Sequence, residues 1–328
     1  MTDAPGAERG GAAVSAVVLT LEAIRAARER IAPHVLRTPL LPFHPQPGVW
    51  LKVEGVQPTG SFKVRGAASH LTALPPGRGV VTASSGNHGQ AVAYVAARLG
   101  RTATVVVPED VPAVKAEGIA RWGARLLRHG RTSEERIRLA LDLAEREGLA
   151  YVPPFDDPLV MAGQGTVGLE IVEDLPEVRA VLVPVSGGGL ISGVAVAVKG
   201  LRPQAAVLGV EPALLPRFAR SRAAGRPLRL PFAPTVADGL RVLEPGRLTW
   251  AVTRACVDDF VAVPEEAILE AVRRLLLEAR LVVEPSGAVG LAALLTGTVD
   301  VPRPAVIVLS GSNVDPDLLA RVLALPTP

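Results

Sequence analysis

One lysine has the sequence context of a reactive amine. It is Lys63, in the segment QPTGSFKVRGA (57–67). Gly60 permits a tight turn, and we expect Ser61 or Thr59 to cap a helix that begins near the lysine. A positive charge at a helix N-terminus is unfavourable, but not when the amine is neutral or joined to a cofactor as an imine. A Schiff-base lysine meets this condition. Taken alone, however, the segment favours an ordinary solvent-exposed lysine, because most lysines in proteins are exposed.

A second polar segment, SSGNHGQ (84–90), lies where a predicted strand gives way to a helix. Successive backbone N–H groups at such a junction can bind an anion such as a carboxylate. The amide of Asn87 can donate a hydrogen bond to an oxygen of a bound ring. His88 has the chemistry of a base, a ligand or a structural histidine, and we interpret it as structural because the sequence shows no partner for it.

Three consecutive glycines occupy the segment SGGGL (186–190), again between a predicted strand and a helix. Backbone without side chains can wrap a phosphate at a helix N-terminus, so the segment predicts a phosphate site. The first and third glycines also begin the fingerprint of dinucleotide-binding loops, with Ser192 at its third glycine position. Glu211 then ends the next predicted strand at a suitable distance for a ribose, so this loop alone leaves an NAD-linked oxidoreductase open.

Two further segments carry polar side chains after apolar stretches. In LSGSNVD (309–315), the hydroxyl of Ser310 can bond a ring nitrogen or cap a helix. In VEPSGA (283–288), we expect Ser286 to be a helix N-cap, while Glu284 either lines a site or serves structure alone.

Strand and helix patterns alternate along most of the chain. Strands are predicted at residues 49–54, 80–85, 102–108, 124–130, 178–186, 205–212, 260–264 and 304–310, with helices between them. Apolar strands that alternate with helices are typical of a mostly parallel sheet buried on both faces. Ligands of such folds bind beyond the carboxyl ends of the strands, so we expect a site at 84–90, 186–190 and 310–313.

Together, these segments resemble the fold-type-II enzymes that depend on pyridoxal 5'-phosphate (PLP), and within them the threonine/serine dehydratase and serine racemase branch. TVADGLR (235–241) completes the set of motifs, which lie between residues 52 and 315. The resemblance implies an α/β fold like that of the tryptophan synthase β chain, with mostly parallel sheets flanked by helices. We predict a large PLP-binding domain at 1–78 and 156–328 and a small domain at 79–155.

The resemblance also implies roles for individual residues. Lys63 carries PLP as a Schiff base and later removes the α-proton of the substrate. The implied cofactor contacts are Phe62 beside the ring, Asn87 at its 3-oxygen, Ser310 at its pyridine nitrogen, and Ser186, Gly187, Gly188, Gly189 and Leu190 around its phosphate. The implied substrate contacts are Ser85, Gly86, Asn87, His88, Asp238, Gly239 and Glu284. In racemases of this branch, the residue matching Ser85 reprotonates the α-carbon from the ring face opposite the lysine, which leaves racemase activity open.

The implied activity is the conversion of L-threonine or L-serine to 2-oxobutyrate or pyruvate and ammonia. The neutral hydroxyl of Ser310 does not keep the pyridine nitrogen protonated, so it stabilises a carbanion less and favours loss of the β-hydroxyl. Serine racemase and hydroxy-aspartate dehydratase are the alternatives, followed by an NAD-linked oxidoreductase and by a PLP-binding protein without turnover. Some family members bind a divalent cation through a glutamate and an aspartate. Glu211 matches the first, but Arg217 replaces the second, so we predict no intact Mg²⁺ site.

The composition limits which other classes of protein and of partner the sequence fits. The single cysteine, Cys256, excludes an intramolecular disulfide and is consistent with a cytoplasmic protein. The net charge is +3 and basic residues are dispersed, so we expect no nucleic-acid partner, and no stretch is apolar enough to predict a membrane span. We expect a homo-oligomer, a dimer or a tetramer, with residues 1–15 disordered. Because the chain ends at residue 328, we expect no C-terminal regulatory domain and no isoleucine feedback through one.

Overall fold

The computed structural model of the protein describes residues 19–324, and the disorder predicted for residues 1–15 lies outside them. Within this range the strands are β1 (Leu40–Pro42), β2 (Val49–Val53), β3 (Val80–Ala83), β4 (Ala103–Val107), β5 (Arg125–Arg128), β6 (Ala150–Tyr151), β7 (Ala180–Pro184), β8 (Ala206–Pro212), β9 (Asp259–Val263) and β10 (Ala305–Leu309).

The α-helices of the same range lie mostly between successive strands. They are α1 (Leu21–Ile31), α2 (Lys63–Thr72), α3 (Asn87–Arg98), α4 (Ala113–Ala120), α5 (Ser133–Arg146), α6 (Pro158–Asp174), α7 (Gly189–Leu201), α8 (Arg217–Ala224), α9 (Arg247–Cys256), α10 (Glu265–Ala279), α11 (Pro285–Leu295) and α12 (Pro316–Leu323). None of the helices between residues 19 and 324 is long and apolar enough to cross a membrane.

The larger sheet has six strands in the order β1-β2-β10-β7-β8-β9. All neighbours are parallel except β1, which pairs antiparallel with β2. Every residue of β7 and of β10 is buried, because helices cover both faces of the sheet. The predicted α/β class with mostly parallel strands is confirmed.

The smaller sheet has four parallel strands in the order β5-β4-β3-β6. Its strands lie between residues 80 and 151, inside the range predicted for a small domain. The chain enters this sheet after α2 and leaves it before α6. The domain boundaries at residues 79 and 155 remain a prediction.

The helix starts show where the local sequence determines which residue caps the helix and where it does not. Thr132 and Glu135 form the predicted capping box of α5. The predicted cap of α2 by Ser61 or Thr59 is wrong, because Phe62 is its N-cap residue and makes no side-chain capping hydrogen bond. Ser286 is not the N-cap of α11 either. Glu284 holds that position, and the Ser286 hydroxyl instead accepts a hydrogen bond from Gly239 N at 2.9 Å.

A buried network of charges anchors the helix that begins at Lys63. The Arg65 guanidinium lies 2.8 Å from Glu54 Oε2 and 2.6 Å from Glu170 Oε1. Lys52 Nζ lies 2.6 Å from the other Glu170 oxygen, and all four side chains are nearly inaccessible to solvent. The network joins β2, α2 and α6, so the start of α2 is held in one orientation relative to the larger sheet.

Candidate functional site

The segment around Lys63 lies against the segment that follows β10. Phe62 N donates to Ser310 O at 3.0 Å, and Ser312 N donates to Gly60 O at 2.8 Å. This contact follows from the sheet order, because β2 and β10 are parallel neighbours whose carboxyl ends meet at one edge. The structure thus brings Lys63, Phe62 and Ser310 together.

The Lys63 amine is oriented by a backbone carbonyl and is easily deprotonated. Its Nζ donates to Pro154 O at 2.9 Å and lies 5.2 Å from the centre of the Phe62 ring. Burial lowers the pKa of Lys63 from 10.5 to about 8, and the nearby Glu284 carboxyl opposes this shift. A neutral amine is the form that attacks a carbonyl carbon, so this environment favours Schiff-base chemistry.

Asn87, at the start of α3, joins the segment after β3 of the smaller sheet to two segments next to the larger sheet. Its Nδ2 donates to Glu284 Oε1 at 2.8 Å, and its Oδ1 accepts from Asn313 Nδ2 at 2.7 Å. Burial raises the pKa of Glu284 to about 8, with Asp238 adding to the effect and Asn87 opposing it. Asp238 itself is exposed and pairs with Lys115 of α4 at 2.8 Å. Asn87 and Asp238 therefore lie near Glu284, whose charge in turn acts on Lys63.

The segment 84–90 contains a glycine with free space around it, Gly86, and a buried histidine, His88. A Cβ added to Gly86 would meet no atom of residues 19–324 within 4 Å, and Ser85 is half-buried. His88 is buried, and one ring nitrogen lies 3.1 Å from Val152 O. Burial, followed by the charge of Lys63, lowers the pKa of His88 to about 3. A neutral histidine bound to backbone is consistent with the structural interpretation of this residue.

The glycine-rich loop lies at the carboxyl end of β7 and opens α7. Gly188 adopts the left-handed conformation (φ +99°) in which a side chain is strained. A Cβ on Gly188 would lie 2.7 Å from the Phe218 ring and 2.8 Å from Thr249. Leu190 is buried in the first turn of α7, and the buried Ser186 hydroxyl has no hydrogen-bond partner among the described residues. An unpartnered hydroxyl beside a helix N-terminus suits a bound anion.

A segment that the sequence analysis missed holds this loop in place. The Asp156 carboxylate accepts from Leu248 N at 2.8 Å and Thr249 N at 3.1 Å, and thereby caps α9. Thr249 Oγ1 in turn donates to Gly187 O at 2.6 Å. The Asp-Asp-Pro sequence that ends at Pro158 is a recognisable helix start, but no local signal places Asp156 beside a residue so distant in the chain.

Glu211 is not placed to bind a ribose. Its carboxylate is fully buried and accepts hydrogen bonds at 3.0 Å from Phe218 N and Ala219 N, at the start of α8. The Arg217 guanidinium lies beside it, with Nη1 3.8 Å from Glu211 Oε1. The arrangement therefore does not support the dinucleotide alternative that the loop sequence left open.

Comparison with known proteins agrees with this geometry. The profile of the family "Pyridoxal-phosphate dependent enzyme" matches residues 31–311. The L-threonine ammonia-lyase of Thermotoga maritima is 43% identical over 314 residues, which cover 93% of this chain and 78% of that one. The crystal structure of a threonine deaminase from T.th. is 46% identical with a TM-score of 0.87, covering 90% of this chain and 99% of that one. Maize serine racemase is 38% identical with a TM-score of 0.89, covering 93% and 96%. This chain therefore belongs to the family of pyridoxal-phosphate dependent enzymes and uses PLP as its cofactor.

Proposed function

We propose that this protein is an ammonia-lyase that converts L-threonine or L-serine to 2-oxobutyrate or pyruvate, with release of ammonia. One observation carries the proposal: the Lys63 amine, with a pKa lowered to about 8, lies where the segments 84–90 and 310–313 meet. The similarity to threonine ammonia-lyases and threonine deaminases supports the same activity.

The site fits PLP by its own chemistry. The Ser186 hydroxyl, which has no hydrogen-bond partner in the described part of the chain, would hold the phosphate at the start of α7 together with the backbone of Gly187, Gly188, Gly189 and Leu190. Asn87 would bond the ring's 3-oxygen, Ser310 its nitrogen, and Phe62 would lie beside the ring. When bound, PLP supplies an electron-withdrawing ring that acidifies the α C–H bond of an attached amino acid.

Lys63 is the base of the proposed reaction. Its neutral Nζ accepts the proton from the α-carbon, and the electron pair left behind expels the β-hydroxyl, which departs as water after taking up a proton. The released enamine adds water and loses ammonia, giving the 2-oxo acid. The water lost in the elimination is thus regained in the hydrolysis.

The segment 84–90 is the proposed site of the substrate carboxylate. The N–H groups around Ser85, Gly86, Asn87 and His88 begin α3, where backbone donors favour an anion. The open space above Gly86 leaves room for a small substrate. Glu284 borders this segment through its hydrogen bond from Asn87, and Gly239 N donates a hydrogen bond to the Ser286 hydroxyl.

Serine racemisation is the second candidate. Ser85 supports it, because the resemblance gives the matching residue of racemases the role of returning a proton to the α-carbon, and Ser85 is half-buried on the segment 84–90. The similarity to maize serine racemase is a second support. Cytoplasmic location, assembly into a dimer or tetramer and the small domain at 79–155 remain predictions from the sequence.

The deciding experiment supplies PLP and measures 2-oxo acid formation from L-threonine and from L-serine, with D-serine followed in parallel by chiral chromatography. We expect 2-oxobutyrate from threonine, and none when Lys63 is replaced in Lys63→Ala. Oxo acid production that survives Lys63→Ala would remove the assigned base. D-serine formation without oxo acid would replace the lyase with the racemase.

A further inference from the structure

The Arg217 side chain occupies a buried position behind the glycine-rich loop. It is wholly inaccessible to solvent. Its Nε donates to Ser186 O at 3.0 Å, its Nη1 donates to Leu215 O at 2.8 Å, and its Nη2 donates to Val185 O. The carboxylate of Glu211 completes the set of oxygens around the guanidinium. All three nitrogens therefore have an acceptor, which a buried guanidinium requires.

Two of these contacts fix the direction of peptide groups in the phosphate loop. In a trans peptide, the C=O of one residue and the N–H of the next point to opposite sides. Because Arg217 holds the carbonyls of Val185 and Ser186, the N–H groups of Ser186 and Gly187 face away from it. Thr249 holds the carbonyl of Gly187 and so turns the N–H of Gly188 in the same manner.

The chemistry of the surrounding oxygens is that of a hard-cation site. Backbone carbonyls and a carboxylate are the ligands that Mg²⁺ and Ca²⁺ take in proteins. Here the cation at their centre is a guanidinium that is covalently attached to the chain and cannot leave the site. Burial lowers the pKa of Arg217, and the Glu211 carboxylate opposes this shift. Burial raises the pKa of Glu211, while the Arg217 charge and the N–H groups of Phe218 and Ala219 oppose that effect.

We propose that Arg217 is a positioning residue that serves as a covalently attached cation, orienting the phosphate-binding loop so that PLP binds without a divalent metal ion. This inference rests on the proposed role of residues 186–190 in holding the cofactor phosphate. It is independent of which amino acid the enzyme consumes.

The test measures the affinity of the apoprotein for PLP by absorbance titration, in EDTA and in millimolar Mg²⁺, Mn²⁺ or Ca²⁺. The variants are Arg217→Asp and Arg217→Lys. Arg220→Ala is the matched control, since Arg220 is an exposed arginine on the same helix. Thermal unfolding under each condition reports whether a variant is folded.

For the native protein and the control, we expect the same PLP affinity in EDTA and in metal. In Arg217→Asp, two carboxylates and the freed carbonyls form a set of cation ligands. We expect its PLP affinity in EDTA to fall roughly tenfold or more, because hydrogen bonds from a charged group to the loop are lost. Added divalent cation should restore it. Arg217→Lys keeps the charge but not the planar donor fork, and should show an intermediate loss that metal does not repair.

Three results would overturn the inference. One is a native enzyme whose PLP affinity falls in EDTA and returns with a divalent cation. Another is native PLP affinity in Arg217→Lys and Arg217→Asp without metal, and a third is a loss in Arg217→Asp that no cation repairs. If Arg217→Asp does not fold, the inference is still tested by the PLP affinity of the native enzyme in EDTA and by the PLP affinity of Arg217→Lys. Oxo acid formation by the native enzyme is scored separately, so failure of the proposed function is distinguishable.

Discussion

The amine of Lys63 lies 2.9 Å from the carbonyl oxygen of Pro154, and the next two residues, Phe155 and Asp156, contact the glycine-rich loop and the helix start that holds it. A Cβ on Gly187 would lie 2.5 Å from the ring of Phe155, and the Asp156 carboxylate caps the helix that carries Thr249. Three consecutive residues thus join the reactive lysine to the glycine-rich loop. The distance between these two parts of the site is set by one short segment.

The first prediction concerns the ionisation of Lys63 in the apoprotein. With its pKa lowered from 10.5 to about 8, about one amine in ten is neutral at pH 7, far more than for an ordinary lysine. The rate of Schiff-base formation with PLP, followed by its visible absorbance, should rise with pH and level off about one unit above this pKa. A rate that keeps rising towards the ordinary lysine pKa would contradict the effect of burial. Lys63→Ala is the control without the absorbing species.

The second prediction concerns acid stability. The pKa of His88 is about 3 in the folded protein, whereas an exposed histidine of the unfolded chain has a pKa of 6.5. Between these values the unfolded chain binds a proton that the folded protein does not. Acidification therefore lowers the free energy of unfolding by up to about 1.4 kcal/mol per pH unit, and the stabilisation is fully present only above the unfolded value.

Urea unfolding of the native apoprotein and of His88→Gln at about pH 7 and about pH 5 measures this dependence. Glutamine keeps a donor for Val152 O and has no titrating group. The variant should lose less stability on acidification than the native protein. Parallel losses in both proteins would show that His88 does not carry the dependence.

The third prediction tests the glycine-rich loop by comparing two glycines that both adopt the left-handed backbone conformation. Gly188 (φ +99°) would place a Cβ 2.7 Å from the Phe218 ring, whereas a Cβ on Gly225 (φ +68°) would meet no atom of the described residues within 4 Å. Gly225→Ala should therefore cost only the strain of a left-handed residue, roughly 1 kcal/mol. Gly188→Ala adds a steric conflict and should cost roughly 3 kcal/mol or more.

Thermal unfolding and PLP titration distinguish the two variants. Gly188→Ala should also weaken PLP binding, because the loop must shift to accommodate the methyl group. Gly225→Ala should bind PLP as the native protein does. Equal effects in both variants would mean that the contacts of Gly188 with Phe218 and Thr249 do not constrain the loop.

The fourth prediction concerns the buried charges that anchor α2. Arg65→Met leaves Glu54 and Glu170 buried without their shared partner, which should lower the free energy of unfolding by roughly 3–5 kcal/mol. Arg28→Ala removes an ion pair with Glu173 whose side chains are 42% and 38% exposed, so its effect should be much smaller. Chemical denaturation of both variants gives the comparison. Similar losses in the two would contradict the role of the buried network.

Part of the fold was predictable because its signals are local. The α5 capping box lies within four consecutive residues, Thr132 to Glu135, and the apolar stretches of β7 and β10 mark buried parallel strands. The predicted caps, Ser61 or Thr59 for α2 and Ser286 for α11, were wrong because contacts between distant residues position these helix starts. Ser286 bonds Gly239 instead, and α2 is positioned by Arg65 contacts with residues from other elements rather than by its own cap.

The sequence by itself determined the chemistry of this protein: a lysine at a helix start, a glycine-rich turn after a buried strand, and an arginine at position 217. Only the tertiary structure decided how these groups act on one another. Parallel strand order brings Lys63 beside Ser310, burial lowers the pKa of the lysine, and the Arg217 guanidinium meets the carbonyls of Val185 and Ser186. Each effect depends on distance and solvent exclusion between residues far apart in the chain, and no local pattern encodes those quantities.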